Sequence, residues 1–341
     1  MPANDSSLID NRGTATPLPF LDLALSTSGF LLDQFVADTV LPAYPVATQT
    51  GALPIMVADR HAYTLKRDSS GYPIRIPVKL NGVKYDATES SAESAVPDDS
   101  AKAYFDKAKA YIHRAQQTAL SLLLARETTV AALVQNTGVF DSGVTAGIWT
   151  TDSNDPVQEL ITIIEDRATL LGVDPSALAV LMPARAWRAF KRNALVKAAV
   201  ASLFQGQGAT SINISAEQAA AVLGVGKVTV ARAQVDTANP AKASVFGPVW
   251  DRTKVVVYLP SEGSFESLGL GKTFTWTPGL DGSDLSQAVG QETNAALAFR
   301  SEIYRDERAT SDIVRVRDYI APVVTNTQAA YIITGVVASN Y

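Results

Sequence analysis

From Asp98 to Thr137 the chain runs forty residues without glycine or proline, and apolar side chains recur along it at intervals of three and four. Tyr104, Phe105, Ala108, Ile112, Ala115, Ala119, Leu122 and Leu123 begin a stripe that Val130, Leu133 and Val134 continue. That period predicts one amphipathic helix, roughly 50–55 Å long if unbroken and capped near Gly138. Its Lys-rich start, which includes Lys102, Lys107, Lys109, His113 and Arg114, is expected to be exposed. Leu120 to Val134 is expected to pack beneath the long charged strands that follow later in the chain. A rod longer than a small domain is wide has to lie across a surface or flat plate.

Ahead of the helix the pattern is different. Residues 1–20 are polar and read as an arm, and Phe20 to Val40 carries a modest apolar pattern. From Tyr44 to Asp99 the chain is strand-like. Tyr72 to Leu80 alternates in type, Asn81-Gly82 is a favoured two-residue turn, and Val83-Lys84-Tyr85 returns. A hairpin is predicted there, with Ser69-Ser70-Gly71 a second credible turn. Pro73 and Pro77 mark it as edge or protruding structure, because proline cannot donate to a central ladder.

Behind the helix the pattern mixes periods. Asp155-Pro156-Val157-Gln158 predicts a helix start, and Val157, Leu160, Ile161, Ile164, Ala168 and Leu171 form its apolar face before Gly172. Strands are expected at Leu178–Met182, Lys227–Val235 and Lys254–Leu259, with helices at Pro183–Asn193 and Ser215–Leu223. After Gly263 the chain becomes β-rich: Lys272–Thr277, then a long charged stretch from Ala295 to Val324, then an apolar strand from Ala329 to Val337. The many carboxylates and arginines of that charged stretch predict a solvated strand face. The fold class is α+β.

Composition narrows the function more than it changes the fold. In 341 residues, hydrophobic side chains make up 47% and charged ones only 18%, which favours a surface partly covered by a partner. A net charge of −5 argues against a dedicated nucleic-acid binder. There is no cysteine, so disulfides, thiolate metal sites and cysteine nucleophiles are excluded. No apolar run approaches membrane-spanning length, and the N-terminal residues lack a signal pattern, so a soluble intracellular product is expected. No cofactor or metal is expected.

Three stretches carry candidate chemistry. Gly269-Leu270-Gly271-Lys272-Thr273 resembles the end of a phosphate-binding loop, but Glu266 stands where the motif needs glycine and a strand-like Phe274-Thr275-Trp276 follows. Ser215 to Val225 could open a helix-turn-helix whose second helix would be Val228–Gln234. Its β-branched alternation favours a strand instead. His61 and His113 have no partners at metal-ligand spacing. No nucleophile elbow or acid/base pair stands out, so no enzymatic activity is expected.

The order of elements runs polar arm, extended β loop, very long helix, α/β unit, then long charged strands. It resembles the major capsid proteins of tailed bacteriophages, the Hong Kong 97 fold, and most of all the lambda-like head subgroup. Leu122-Leu123-Leu124-Ala125-Arg126-Glu127 with Val130-Ala131 resembles the end of the family's spine helix. Asp155-Pro156 resembles the start of its axial domain, and Leu223 to Val230 the helix-to-strand step inside it. Glu302 to Asp312 resembles its long peripheral strand.

The resemblance implies an N-terminal arm (1–45), an extended loop (46–97), a peripheral domain (98–150 and 263–318) and an axial domain (151–262 and 319–341). It further implies self-assembly as pentamers and hexamers into an icosahedral head around double-stranded DNA, which is bound without sequence preference. Portal, scaffolding and decoration proteins would be partners, no membrane would be involved, and the location would be the virion, assembled in host cytoplasm. Ile74, Ile76, Val78, Lys79, Val83, Lys84 and Tyr85 are the implied intersubunit contacts. The alternatives are a DNA-binding regulator using residues 215–234 and a metal-free hydrolase or transferase built on the α/β unit.

Overall fold

The computed structural model describes residues 16–17, 34–56, 80–99, 107–203, 214–239, 242–261, 269–276 and 300–338. In chain order these form β1 (Thr16–Pro17), α1 (Ala37–Val40), β2 (Ala43–Val46), β3 (Thr50–Met56), β4 (Leu80–Asp86), β5 (Thr88–Pro97) and the long helix α2 (Lys107–Val134). There follow β6 (Asp141–Val144), α3 (Pro156–Leu171), β7 (Ala179–Pro183), α4 (Ala184–Arg192), α5 (Ala194–Leu203) and α6 (Ala216–Leu223). The remainder is strand: β8 (Lys227–Ala231), β9 (Gln234–Asp236), β10 (Phe246–Pro248), β11 (Val255–Tyr258), β12 (Gly271–Trp276), β13 (Arg300–Asp306), β14 (Ser311–Val324) and β15 (Ala330–Thr334).

Two larger sheets organise the molecule. The first is centred on β14, which pairs with β13 over Ser311–Arg317, with β5 over Ser311–Ile320 and with β12 over Ile320–Val324, all antiparallel. Ile320 faces Thr88 on one side and Thr275 on the other, so β12 continues the side that β13 leaves. The parallel strand β2 closes the far edge on β12. The second sheet has the order β6-β15-β11-β7-β8. Its three central strands, β15, β11 and β7, are apolar on both faces, as expected of strands covered on both sides, while the edge strand β6 is largely exposed. Val180 and Met182 of β7 enter a core beneath α3, α4 and α6, while Ala179 and Leu181 enter the core on the opposite face. In β11 the same division separates Val255 and Val257 from Val256 and Tyr258.

The long helix belongs to both sheets. Within the described residues it has 28 residues, about 42 Å at the helical rise. Ala110, Tyr111, Ala115, Ala119, Leu122 and Leu123 pack on Val96, Ile303, Val314 and Val316 of the first sheet. Val130, Ala131 and Val134 instead join Leu181, Val256 and Ile332 of the second. The expectation that Leu120–Val134 underlies the charged strands is therefore corrected. The strands take the helix through Leu123, and its last turns cross onto the other sheet. Its start is not uniformly exposed either: Lys109 and His113 face solvent, but Ala110 and Tyr111 between them are buried.

Sheet membership also moves the expected seams. β6 pairs in parallel with β15, so the chain passes to the second sheet soon after the helix ends rather than at 150. β14 runs unbroken past 318 to Val324. The charged hairpin β13–β14 turns at Thr310, whose φ of 44° lies in the left-handed region. It is only partly a solvated face, because Glu302, Asp312 and Asp318 are buried. Tyr111 donates to Asp312 (2.6 Å), Arg305 pairs with Asp98 (2.7 Å) and Asp312 (3.1 Å), and Arg317 pairs with Glu302.

Both capped helices begin as their sequences predict. Asp155 accepts from the Val157 and Gln158 amides, and Gly172 ends α3 at a φ of 60°. Ser215 and Gln218 form a reciprocal capping box on α6. Among the described residues no helix is long and apolar enough to cross a membrane.

Candidate functional site

The extended β segment has a well-defined root. β3 and β4 form a two-stranded antiparallel sheet of their own in which Thr50 faces Asp86 and Met56 faces Leu80. Asn81 and Gly82 lie inside β4, opposite Ile55 and Pro54, so they are not a turn. The local turn propensity of Asn-Gly yields here to a ladder that continues on both sides of it. The reversal falls within residues 57–79, which lie outside the described residues, as do Ile74, Ile76, Val78 and Lys79.

Of the remaining expected contacts, Val83 and Tyr85 point into the molecule. They pack with Val46, Ala87, Phe274 and Ala321, and the Tyr85 ring lies 4.8 Å from that of Phe274. The Tyr85 hydroxyl is 2.9 Å from Thr48 Oγ1. Both side chains, expected as intersubunit contacts, are buried within this chain and anchor the segment there. Lys84, between them, is exposed. Alternation fixes this result, since neighbours on a strand face opposite ways.

The two motif-like stretches resolve into packing. Lys272 is buried in β12 with its ammonium 5.1 Å from the centre of the Tyr44 ring, and Thr273 is fully buried. No phosphate could reach them. After α6 and the left-handed Gly224 (φ 67°), the chain enters β8, which runs parallel to β7. The second helix that a DNA-reading helix-turn-helix needs is replaced by a strand, and the regulator reading of 215–234 falls with it. His113 is exposed, and His61 lies outside the described residues. Among the described residues no group of three or more His, Asp or Glu is placed to hold a metal ion.

A buried charge cluster where α1, α2 and β14 meet was not anticipated. Glu127 is fully buried and accepts from the Ala37 amide (2.8 Å), the Val36 amide (3.1 Å) and Trp250 Nε1 (2.5 Å). Arg126, beside it, pairs with Asp38 at 2.5 Å. Burial pushes the Glu127 carboxyl above the usual range, against the lowering pull of its three donors. Burial likewise raises Asp38, opposed by Arg126. Asp318 is pushed up to about 6, by burial first, with Arg126 opposing and Asp38 adding to the rise. The cluster ties residues 36–38 and Trp250 to the helix. One signal was present, since Glu127 falls four residues after Leu123 and three before Val130, on the apolar stripe.

No family model matches the chain, and no curated protein matches its sequence. Solved structures do match its fold. A phage-related protein from Bordetella bronchiseptica is similar over 95% of this chain and 98% of its own, with a TM-score of 0.66 at 18% identity. A virus-like particle from Pyrococcus furiosus matches over 92% and 98%, with a TM-score of 0.53 at 9% identity. The capsid of the cyanophage P-SCSP1u matches over 88% and 87%, with a TM-score of 0.54 at 10% identity. At these identities the likeness establishes the fold, the α+β fold of phage capsid subunits known as the Hong Kong 97 type.

Proposed function

We propose that this chain is the major capsid protein of a tailed phage, a shell subunit that assembles as pentamers and hexamers around double-stranded DNA. The observation that carries the reading is a fold likeness running over almost the full length of both chains. In this reading the first sheet with α2 is the peripheral domain and the second sheet with its helices is the axial domain. The β3–β4 segment is the extended loop laid over a neighbour. Ile74, Ile76, Val78, Lys79 and Lys84 serve that contact, while Val83 and Tyr85 hold its root. Portal and scaffolding proteins, and a decoration protein where one exists, are the further partners. The packaged DNA is met without sequence selection, and the subunit resides in the virion after assembly in host cytoplasm.

Expression of the full chain followed by size exclusion and negative-stain imaging tests the proposal. Capsomers, shells or tubes are the expected result. A stable monomer or dimer that assembles under no ionic condition, with or without phage partner proteins, overturns it.

A further inference from the structure

β7 and β8 lie side by side in parallel, and their register sets Pro183 of one against Ala231 of the other, so both reach their carboxyl ends together. In open sheets the crevice beyond the carboxyl ends of parallel strands is where ligands settle. Here that crevice is a cavity of about 120 Å³, the space of roughly four waters. The chain leaves both strands in a way that makes it positive. α4 starts directly after β7, and Pro183 before it supplies no side-chain acceptor for the first helical amides. Arg232 is the first residue after β8.

Arg185, Arg188, Arg232 and Arg252 all line this cavity, and no acidic side chain does. The carboxylates nearest to them in sequence are engaged elsewhere. Asp236 accepts from the Ala238 and Val245 amides, and Asp251 accepts from the Thr253 amide with Lys254 3.6 Å away. Trp250 also lines the cavity, but its indole N–H is given to Glu127. Arg185 and Arg252 take part in interactions within the chain. Arg188 and Arg232 are exposed, and among the described residues neither has an ion-pair or hydrogen-bond partner. Four guanidinium groups around so small a space repel one another until an anion joins them.

We infer that this cavity is an anion site for a small phosphate-bearing ion of two or more charges, such as pyrophosphate or the triphosphate of a nucleotide. Guanidinium is planar and carries its donors in a fork that matches phosphate oxygens two at a time. Several such forks around one concave space suit an ion that concentrates charge on adjoining phosphates. A duplex instead spreads its charges singly along its outside, and a cavity of this size does not admit one. Two sources share the chemistry. One is the free ion, and the other is a nucleoside triphosphate, whose base would also meet Phe246, 68% exposed at the rim. The bound ion cancels the repulsion among the arginines and stabilises the unit that carries them. The site belongs to the single chain and stands whether or not copies assemble.

Titration calorimetry on the full-length chain tests the site, with sodium pyrophosphate as the probe and no divalent cation present. One ion per chain is expected, with a Kd below about 1 mM at moderate salt. R188Q/R232Q is expected to weaken binding by about tenfold or more, since two charge-assisted partners are lost. Lys227, an exposed cation at the other end of β8, stands about 13 Å away, so K227Q is expected to change binding by less than about twofold. Circular dichroism melting is the fold control. Should R188Q/R232Q fail to melt cooperatively, R232Q alone gives the same test with a smaller expected loss. Adenosine triphosphate distinguishes the sources. Binding no tighter than that of pyrophosphate assigns the site to the phosphate groups alone, and tighter binding that F246A removes assigns it to a nucleotide. Binding of neither ion up to about 10 mM overturns the inference. So does binding that R188Q/R232Q leaves unchanged, or arginine-dependent binding of a duplex oligonucleotide by a chain that takes up neither ion.

Discussion

At Glu127 one carboxylate is shared by three donors from two distant parts of the chain, the amides of Val36 and Ala37 and the indole of Trp250. Removing it orphans all three inside the protein. Glu127→Ala is expected to cost about 3 kcal/mol or more, read as a drop in the urea midpoint. Asp318 makes a different prediction. Its carboxyl titrates near 6 in the folded chain, well above the ordinary aspartate value of 3.8. The folded state therefore binds the proton more tightly than the unfolded state. This group's contribution is fully present below about 4 and is lost as pH rises through about 6. Asp318→Asn keeps the shape without the charge. It is expected to raise the unfolding free energy relative to the parent at pH 7.5 by on the order of 3 kcal/mol, read as a higher urea midpoint, and to change it little at pH 4. An equal effect at both pH values would show that Asp318 is not held protonated by its burial.

Among the elements, β7 shows how little slack the second sheet has. Val180 and Leu181 are adjacent, fully buried and committed to different cores. Leu181→Ala is expected to destabilise by about 2–5 kcal/mol through the cavity it leaves. Elements of this kind were legible in the sequence because their period is local. The 3.6-residue stripe found the long helix, the Ser215–Gln218 pair found α6, and Val228-Thr229-Val230 announced a strand where a recognition helix was the alternative. What stayed hidden depended on partners far along the chain. Asn81-Gly82 is a strong turn signal, yet its neighbours pair with residues 50–56, and seven consecutive partners outweigh one dipeptide preference. Tyr85 and Val83 looked like contact residues until the first sheet supplied Phe274 and Ala321 to bury them. The handover of α2 from one core to the other leaves no mark on its stripe, because both cores ask for the same apolar face.

For the whole molecule, the order of elements was more informative than any motif, and it led to a fold that solved structures share at 9–18% identity. The implied contacts at residues 74–79 call for their own measurement. Met56 and Leu80 are paired across the ladder, so the segment between them can be replaced by a two-residue Asn-Gly turn without moving either strand. Such a deletion of 57–79 is expected to leave the subunit's melting temperature within a few degrees of the parent and to reduce assembly severely. Unimpaired assembly would remove that segment from the contact.

The helix that enters both cores has a mechanical consequence. Its first turns are clamped by the β14 sheet and its last by the β11 sheet, so it acts as a beam fixed at each end. A load applied to either sheet cannot be relieved by a hinge between them. It is carried along the beam into the other sheet, so the two yield together at a single force rather than domain by domain. Pulled by its ends in an optical trap, it should rip in one step.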